Sequence, residues 1–252
     1  MDYELVAANV RASYREVWPK YRQDDEVEVT TENHQHYSSV LHDISSSFDR
    51  PITVLDVGCG TGRYFHCVQN AGQLVGIDVS PDMLKAAESP VRESQITAEE
   101  IQLICDNIFL ISFPPASFDF IYSVGMFGYG CPLTLALCNR FYDWLKPAGR
   151  LFFNVLDFRT LSRRRRIRKR LGRILYHLLP SQMKKRLDDR DHWLPFFGVT
   201  RKELQSLMRQ SAFPRFAISS HICDSALWRG ALLECSATKQ DRSGGLLRSA
   251  VR

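Results

Sequence analysis

Three glycines and three carboxylates carry the chemistry this sequence can do. Gly58, Gly60 and Gly62 fall within VLDVGCGTGRY, residues 54–64, directly behind an apolar, β-branched run. A glycine-rich loop after a strand lets the backbone approach a nucleotide closely, although the same loop can serve strand–helix packing alone. Asp56 precedes the loop near the strand end, where a carboxylate suits a cationic group better than a phosphate. Asp78 closes the next apolar run 20 residues after Gly58, the spacing at which an acid hydrogen-bonds a ribose diol. Asp106 closes a third run and can accept from an exocyclic amine, with Ile108 beside it to pack on a base. The glycine spacing is GxGxG. A dinucleotide fingerprint would need its third glycine where Arg63 stands, and a P-loop would need a GK[ST] ending that the chain lacks. Pyrophosphate binding is disfavoured.

The elements that must position these residues alternate between strand and helix. Apolar runs predict strands over 52–58, 73–79, 101–107, 117–124 and 150–157, and two closing strands over 215–222 and 230–238. A helix is expected to begin near Gly62. Ser80 and Pro81 form an N-cap and first-turn pair for a second helix. PLTLALCNRFYDWLK, residues 132–146, reads as an apolar-faced helix stopped by Pro147 and Gly149, and Thr200 with Glu203 reads as a capping box. Seven strands interleaved with helices predict an α/β fold with a doubly wound sheet, whose ligands sit at the carboxyl ends of the strands.

At these residues the chain resembles the class I S-adenosylmethionine-dependent methyltransferases of small-molecule type. The resemblance rests on VLDVGCGTGRY, LVGIDVSPDML, ICDN, FPPASFDFIYSVGMFGYG and LKPAGRLFFNV, with a weaker match at FFGVTRKELQSLMRQSAF. It implies a Rossmann-like, mostly parallel sheet of seven strands with the last strand antiparallel. It also implies S-adenosyl-L-methionine as cofactor and a small-molecule methyl acceptor. The loop from Gly58 through Cys59 and Gly60 to Gly62 would pass under the methionine part, and Asp56 would help position its amino group. Asp78 would take the ribose hydroxyls, with Val79 and Met83 packed beside ribose and adenine. Asp106, Asn107 and Ile108 would surround the adenine, and Ser123 would face the methionyl end. Ala148 departs from the glycine usual in the family's LKPGG turn. The (N/D)PP(Y/F) motif is absent after the fourth strand, where Ser123, Val124, Gly125 and Met126 stand. DNA adenine and protein glutamine methylation are therefore disfavoured.

The acceptor side should come from the variable parts of the chain. Tyr14, Trp18 and Tyr21 recur at helical spacing, as a core-facing stripe or as a lid whose tyrosines line the site. Tyr129 and His192 are the other polar candidates, and no residue is singled out as a general base. His34, His36 and His42 lack a metal-ligand spacing, and the seven cysteines form no CxxC pair, so no metal is expected. The domain reading is an N-terminal helical cap over 1–50, a core over 51–238 with a basic helical insertion at about 158–195, and a disordered tail over 239–252.

The formal charge of +5 conceals a segregation. Residues 158–187 hold twelve Lys and Arg and no acid, leaving the rest of the chain net acidic. The segment suits a solvated lid helix or, over 159–186, an anionic membrane surface that would bring a lipophilic acceptor. RNA is less favoured, because no aromatics interleave the charges before Tyr176. A non-catalytic binding subunit is disfavoured by the intact glycines and acids. The opening MDYELVAANV lacks the pattern of a signal peptide, so a cytoplasmic protein is expected, with a peripheral membrane contact as the further expectation.

Overall fold

A computed structural model describes residues 2–128, 130–160, 196–224 and 229–240. The helices are α1 (Tyr3–Glu28), α2 (Glu32–Ser46), α3 (Pro81–Ala87), α4 (Leu135–Trp144) and α5 (Arg201–Gln210). The strands are β1 (Ile52–Val57), β2 (Ala71–Asp78), β3 (Glu100–Cys105), β4 (Phe118–Phe127), β5 (Leu145–Leu156), β6 (Arg215–Asp224) and β7 (Arg229–Thr238). They form one sheet in the order β3-β2-β1-β4-β5-β7-β6. Neighbours from β3 to β5 are parallel, while β7 runs antiparallel to both β5 and β6. The order reverses beside β1, so the crevice at the carboxyl ends of β1 and β4 is the topological switch point.

Alternation along the strands separates two apolar layers. Val54, Phe120, Tyr122 and Phe152 pack with Tyr37 and Leu41 of α2 on one face. Leu55, Val57, Ile121 and Phe153 pack with Phe141 and Trp144 of α4 and with Leu204 and Met208 of α5 on the other. The helix starts follow the side-chain caps. Ser80 Oγ accepts from Met83 N at 3.4 Å, and Thr200 with Glu203 completes the capping box. Helix α4 is shorter than its sequence pattern, because the chain becomes strand at Leu145. Ala148 lies at φ +61°, the left-handed region that glycine occupies without strain, and its N–H donates to Lys239 O at 3.2 Å.

The helix expected near Gly62 does not form. Residues 58–64 make a chain of turns, and only Phe65–Cys67 coil, as one 3-10 turn. Eight residues separate Gly62 from β2, several of them aromatic or β-branched, too few to offset the cost of nucleating an α-helix.

At the amino ends of the strands Asp119 is buried and ties three elements. It accepts from Arg50 at 2.6 Å, Lys146 Nζ at 2.7 Å and Thr53 N at 2.8 Å. Burial opposes its charge, but these donors prevail and hold its carboxyl below the usual range. A depressed value stabilises the fold above the unfolded carboxyl range and is lost as pH falls through the folded value. Asp119→Asn should cost about 2 kcal/mol at neutral pH, since both cations are partly exposed and screened. In denaturant melts the deficit should shrink as pH falls below about 4. An equal deficit at all pH values would mean that the charge contributes nothing.

Candidate active site

A cleft of about 1120 Å³, open to solvent, lies at the switch point. Its floor is Asp56 at the end of β1 and the loop Gly58, Cys59, Gly60 and Thr61. Asp78, Val79 and Met83 form one wall with Asp106, Asn107, Ile108 and Phe109. Val124, Gly125, Met126 and Cys131 form the other, and α1 contributes Val6, Ala7, Val10, Tyr14 and Tyr21 as the cover.

Asp78 fixes the loop. Its Oδ2 accepts from Gly60 N at 3.0 Å and its Oδ1 from Ser80 N at 2.9 Å, so one carboxylate joins the glycine turn, the end of β2 and the cap of α3. Gly58 is held tightly at φ +73°, where a Cβ would lie 2.8 Å from Met126. Gly60 and Gly125 behave differently. A Cβ at either would meet no protein atom within 4 Å, although both line the cleft, so their bareness leaves room for a ligand.

Helix α1 is fastened over the cleft by polar contacts spread along its length. Asn107 Nδ2 donates to Tyr3 O at 2.9 Å, and Tyr3 stacks on Phe109 with ring centroids 4.3 Å apart. Arg11 Nε donates to Val79 O at 2.9 Å. Further along, buried Asp25 accepts from Thr61 Oγ1 and Arg63 Nε, tying the helix to the glycine loop. Burial opposes the Arg63 charge, but Asp25 more than compensates.

The electrostatics of the floor favour a cation. Burial pushes the Asp56 carboxyl up to about 8, the Tyr122 hydroxyl opposes that rise, and the Asp78 charge adds to it. Asp78 is raised too, by burial against its three backbone donors. In the free protein the fold therefore favours protonated Asp56, and its ionisation opposes folding until a positive group arrives. Tyr14, edge-on to Tyr21 at 5.5 Å, is raised by burial, then by Tyr21 and Asp78, and keeps its proton at any working pH.

The structure thus gathers Asp56, Gly58, Cys59, Gly60, Asp78, Val79, Met83, Asp106, Asn107 and Ile108 around one cleft with Tyr14 and Tyr21. Gly62 and Ser123 are not among the lining residues. Gly62 packs against Phe65, where a Cβ would lie 2.7 Å from the ring, and Ser123 Oγ donates to Val57 O at 2.8 Å, joining β4 to β1. Met126, Val124 and Gly125 take the place expected for Ser123. Tyr129 and His192 lie outside the described residues, as do most of the basic segment and the tail from 241. Sequence reasoning missed Asp25, Thr61, Arg63 and Phe109. Only Thr61 and Arg63 carried a signal, as neighbours of the glycines.

A sequence model described as a methyltransferase domain matches residues 54–149. Over those residues the chain is similar to that methyltransferase family, in agreement with the resemblance carried by its motifs. A demethylmenaquinone methyltransferase of Geobacillus sp. (strain WCH70) is 31% identical over 101 residues, covering 38% of this chain and 42% of its own length. A ubiquinone biosynthesis O-methyltransferase of Methylococcus capsulatus is 33% identical over 106 residues, covering 41% of this chain and 43% of its own. The chain thus matches these curated relatives over less than half of their length. Two solved structures share the methyltransferase fold. The Burkholderia thailandensis 1,6-didemethyltoxoflavin-N1-methyltransferase, with bound 1,6-didemethyltoxoflavin and S-adenosylhomocysteine, gives a TM-score of 0.60 at 17% identity, covering 96% of this chain and 92% of that one. The Synechocystis PCC 6803 magnesium protoporphyrin IX methyltransferase, with bound S-adenosylhomocysteine, gives 0.60 at 13% identity, covering 95% and 100%.

The residues of this cleft fit S-adenosylmethionine. Buried Asp56 and half-buried Asp78 would hold its cationic and ribose groups, and the bare Gly60 and Gly125 leave it space. Because Asp56 gives up its proton near pH 8, a cation that needs the carboxylate must compete with that proton. S-adenosylmethionine affinity, followed by calorimetry, should rise as pH approaches about 8 and then level off. Asp56→Asn should flatten this profile and weaken binding by about tenfold or more. A flat profile in the unsubstituted protein would show that Asp56 does not meet the cation.

Proposed function

We propose that this chain transfers the methyl group of S-adenosylmethionine to a small-molecule acceptor that enters beneath α1. The observation that carries this reading is the acid-floored cleft closed by a helix that brings two tyrosines to its lining. The cofactor, when bound, supplies a methyl group on a sulfonium, already a strong electrophile with a neutral leaving group. What remains for the protein is to hold the reactants in line and to exclude water. Asp56 and Asp78 hold charge and ribose. Helix α1, locked by Asp25, Asn107 and Arg11, would cover the bound cofactor and exclude water. Tyr14 keeps its proton and orients the acceptor by hydrogen bonding instead of drawing a proton from it.

The acceptor is apolar and is met at an anionic membrane surface. Val6, Val10, Val124, Met126 and Cys131 give the cleft an apolar lining, and two of the relatives carry the names of quinone-modifying methyltransferases. The basic run within 159–186 would bring the cleft to anionic lipid, each Lys or Arg near the surface contributing about 1 kcal/mol. The protein is then cytoplasmic with a peripheral membrane contact. Among the described residues no helix is long and apolar enough to cross a membrane.

Methyl transfer to a panel of lipophilic quinols and phenols, with anionic or neutral vesicles present, tests this reading. Anionic vesicles should raise turnover in low salt, and replacing Arg163 to Arg166 with Gln should remove the gain. Tyr14→Phe should lower turnover by about tenfold while cofactor affinity stays within twofold, the loss of one orienting hydrogen bond. Indifference to lipid would discard the membrane surface. Unchanged turnover in Tyr14→Phe would discard the tyrosine's role.

A further inference from the structure

Between α2 and the 3-10 turn that follows the glycine loop, three metal-binding side chains converge. His34 stands in the first turn of α2, placed by Thr31, whose hydroxyl accepts from its N–H at 3.2 Å. His66 and Cys67 belong to the 3-10 turn that replaces the expected helix. His34 Nε2 lies 3.4 Å from His66 Nε2, and Cys67 Sγ lies 3.5 Å from His66 Nε2 and 3.9 Å from His34 Nε2. All three residues are buried. We infer that His34, His66 and Cys67 form a structural metal site for zinc or a similarly soft divalent transition ion.

The dimensions support this. A tetrahedral zinc with N at 2.0–2.1 Å and S at 2.3 Å has N···N edges of about 3.4 Å and N···S edges of about 3.6 Å. The triangle matches two of these edges closely and exceeds the third by a few tenths of an ångström. Hydrogen bonding explains it less well. Each neutral imidazole has one proton and the thiol one, so protons can lie along only some of the edges, all at the long end of the range. A second group, His36, His221 and Glu234, is different in kind: its His36 Nε2 to Glu234 Oε1 separation of 2.7 Å is that of a direct hydrogen bond.

Two imidazoles and a thiolate select zinc, copper or cobalt over magnesium or calcium. The fourth position falls to water or another small ligand.

The site would staple α2 to a turn too short to be stabilised as a helix. It also reaches the cleft, because Tyr64 stacks on His34 with ring centroids 5.0 Å apart and lines the cofactor pocket. The spacing of His34, His36 and His42 had argued against a metal. The fold parts these three and joins only His34 to ligands more than thirty residues away.

The test is cobalt(II) titration of the chelator-stripped full chain, read by absorption, beside metal analysis of the protein as purified. One equivalent of cobalt should produce a thiolate-to-cobalt charge-transfer band and tetrahedral d–d bands, and zinc should displace it and raise the Tm. Cys67→Ser should lose the charge-transfer band, His34→Gln should weaken binding by about a hundredfold, and His36→Gln should change neither. Absence of a stoichiometric cobalt spectrum in the unsubstituted chain, which needs no variant to fold, would overturn the site. Persistence of the charge-transfer band in Cys67→Ser would overturn it equally.

Discussion

The Asp78 carboxylate is the constraint on which the rest of the structure depends. Its two oxygens are spent on backbone N–H groups from opposite sides, Gly60 in the loop and Ser80 at the start of α3. That bridge sets the height of the glycine turn above the sheet edge and the direction in which the chain leaves β2. Moving the carboxylate would free two part-buried donors at once, each costing about 1 kcal/mol. The same side chain adds to the field that raises Asp56, so one residue shapes the loop and charges the floor.

A floor of two desolvated acids is unfavourable until something covers and neutralises it. Helix α1 does the covering. Asp25 holds Thr61 and Arg63 from the far side of the loop, while Asn107 and Phe109 hold the start of the helix at the opposite rim. The cover is thus fixed to residues that line the cleft and to the glycine loop. A cation in the cleft would stabilise the charged form of Asp56, which burial otherwise disfavours.

Much of this was legible in the chain. Apolar runs marked all seven strands, with the start of β5 at Leu145 the largest miss. The central strands stand out because strands buried on both faces have little choice of composition. The acids at the strand ends were legible because the parallel sheet places successive carboxyl ends on one rim. The helix expected near Gly62 fails on length, because too few residues remain before β2. The resemblance implies that Ser123 ends the fourth strand and faces the methionyl end, but β4 runs on to Phe127 and the serine spends its hydroxyl on Val57. Asp25 and the His34–His66–Cys67 triangle could not be read at all. Each joins residues more than thirty positions apart, and no local period records such a meeting.

The most direct measurement of this account is calorimetric titration of S-adenosylmethionine into the unsubstituted chain and into Asp78→Ala, with circular dichroism to establish that the variant folds. The account predicts binding of one equivalent by the unsubstituted chain and a loss of about ten- to a hundredfold in a folded Asp78→Ala, the range expected for removing a charged hydrogen-bond partner. Undiminished affinity in that variant, or no binding by the unsubstituted chain, would contradict it.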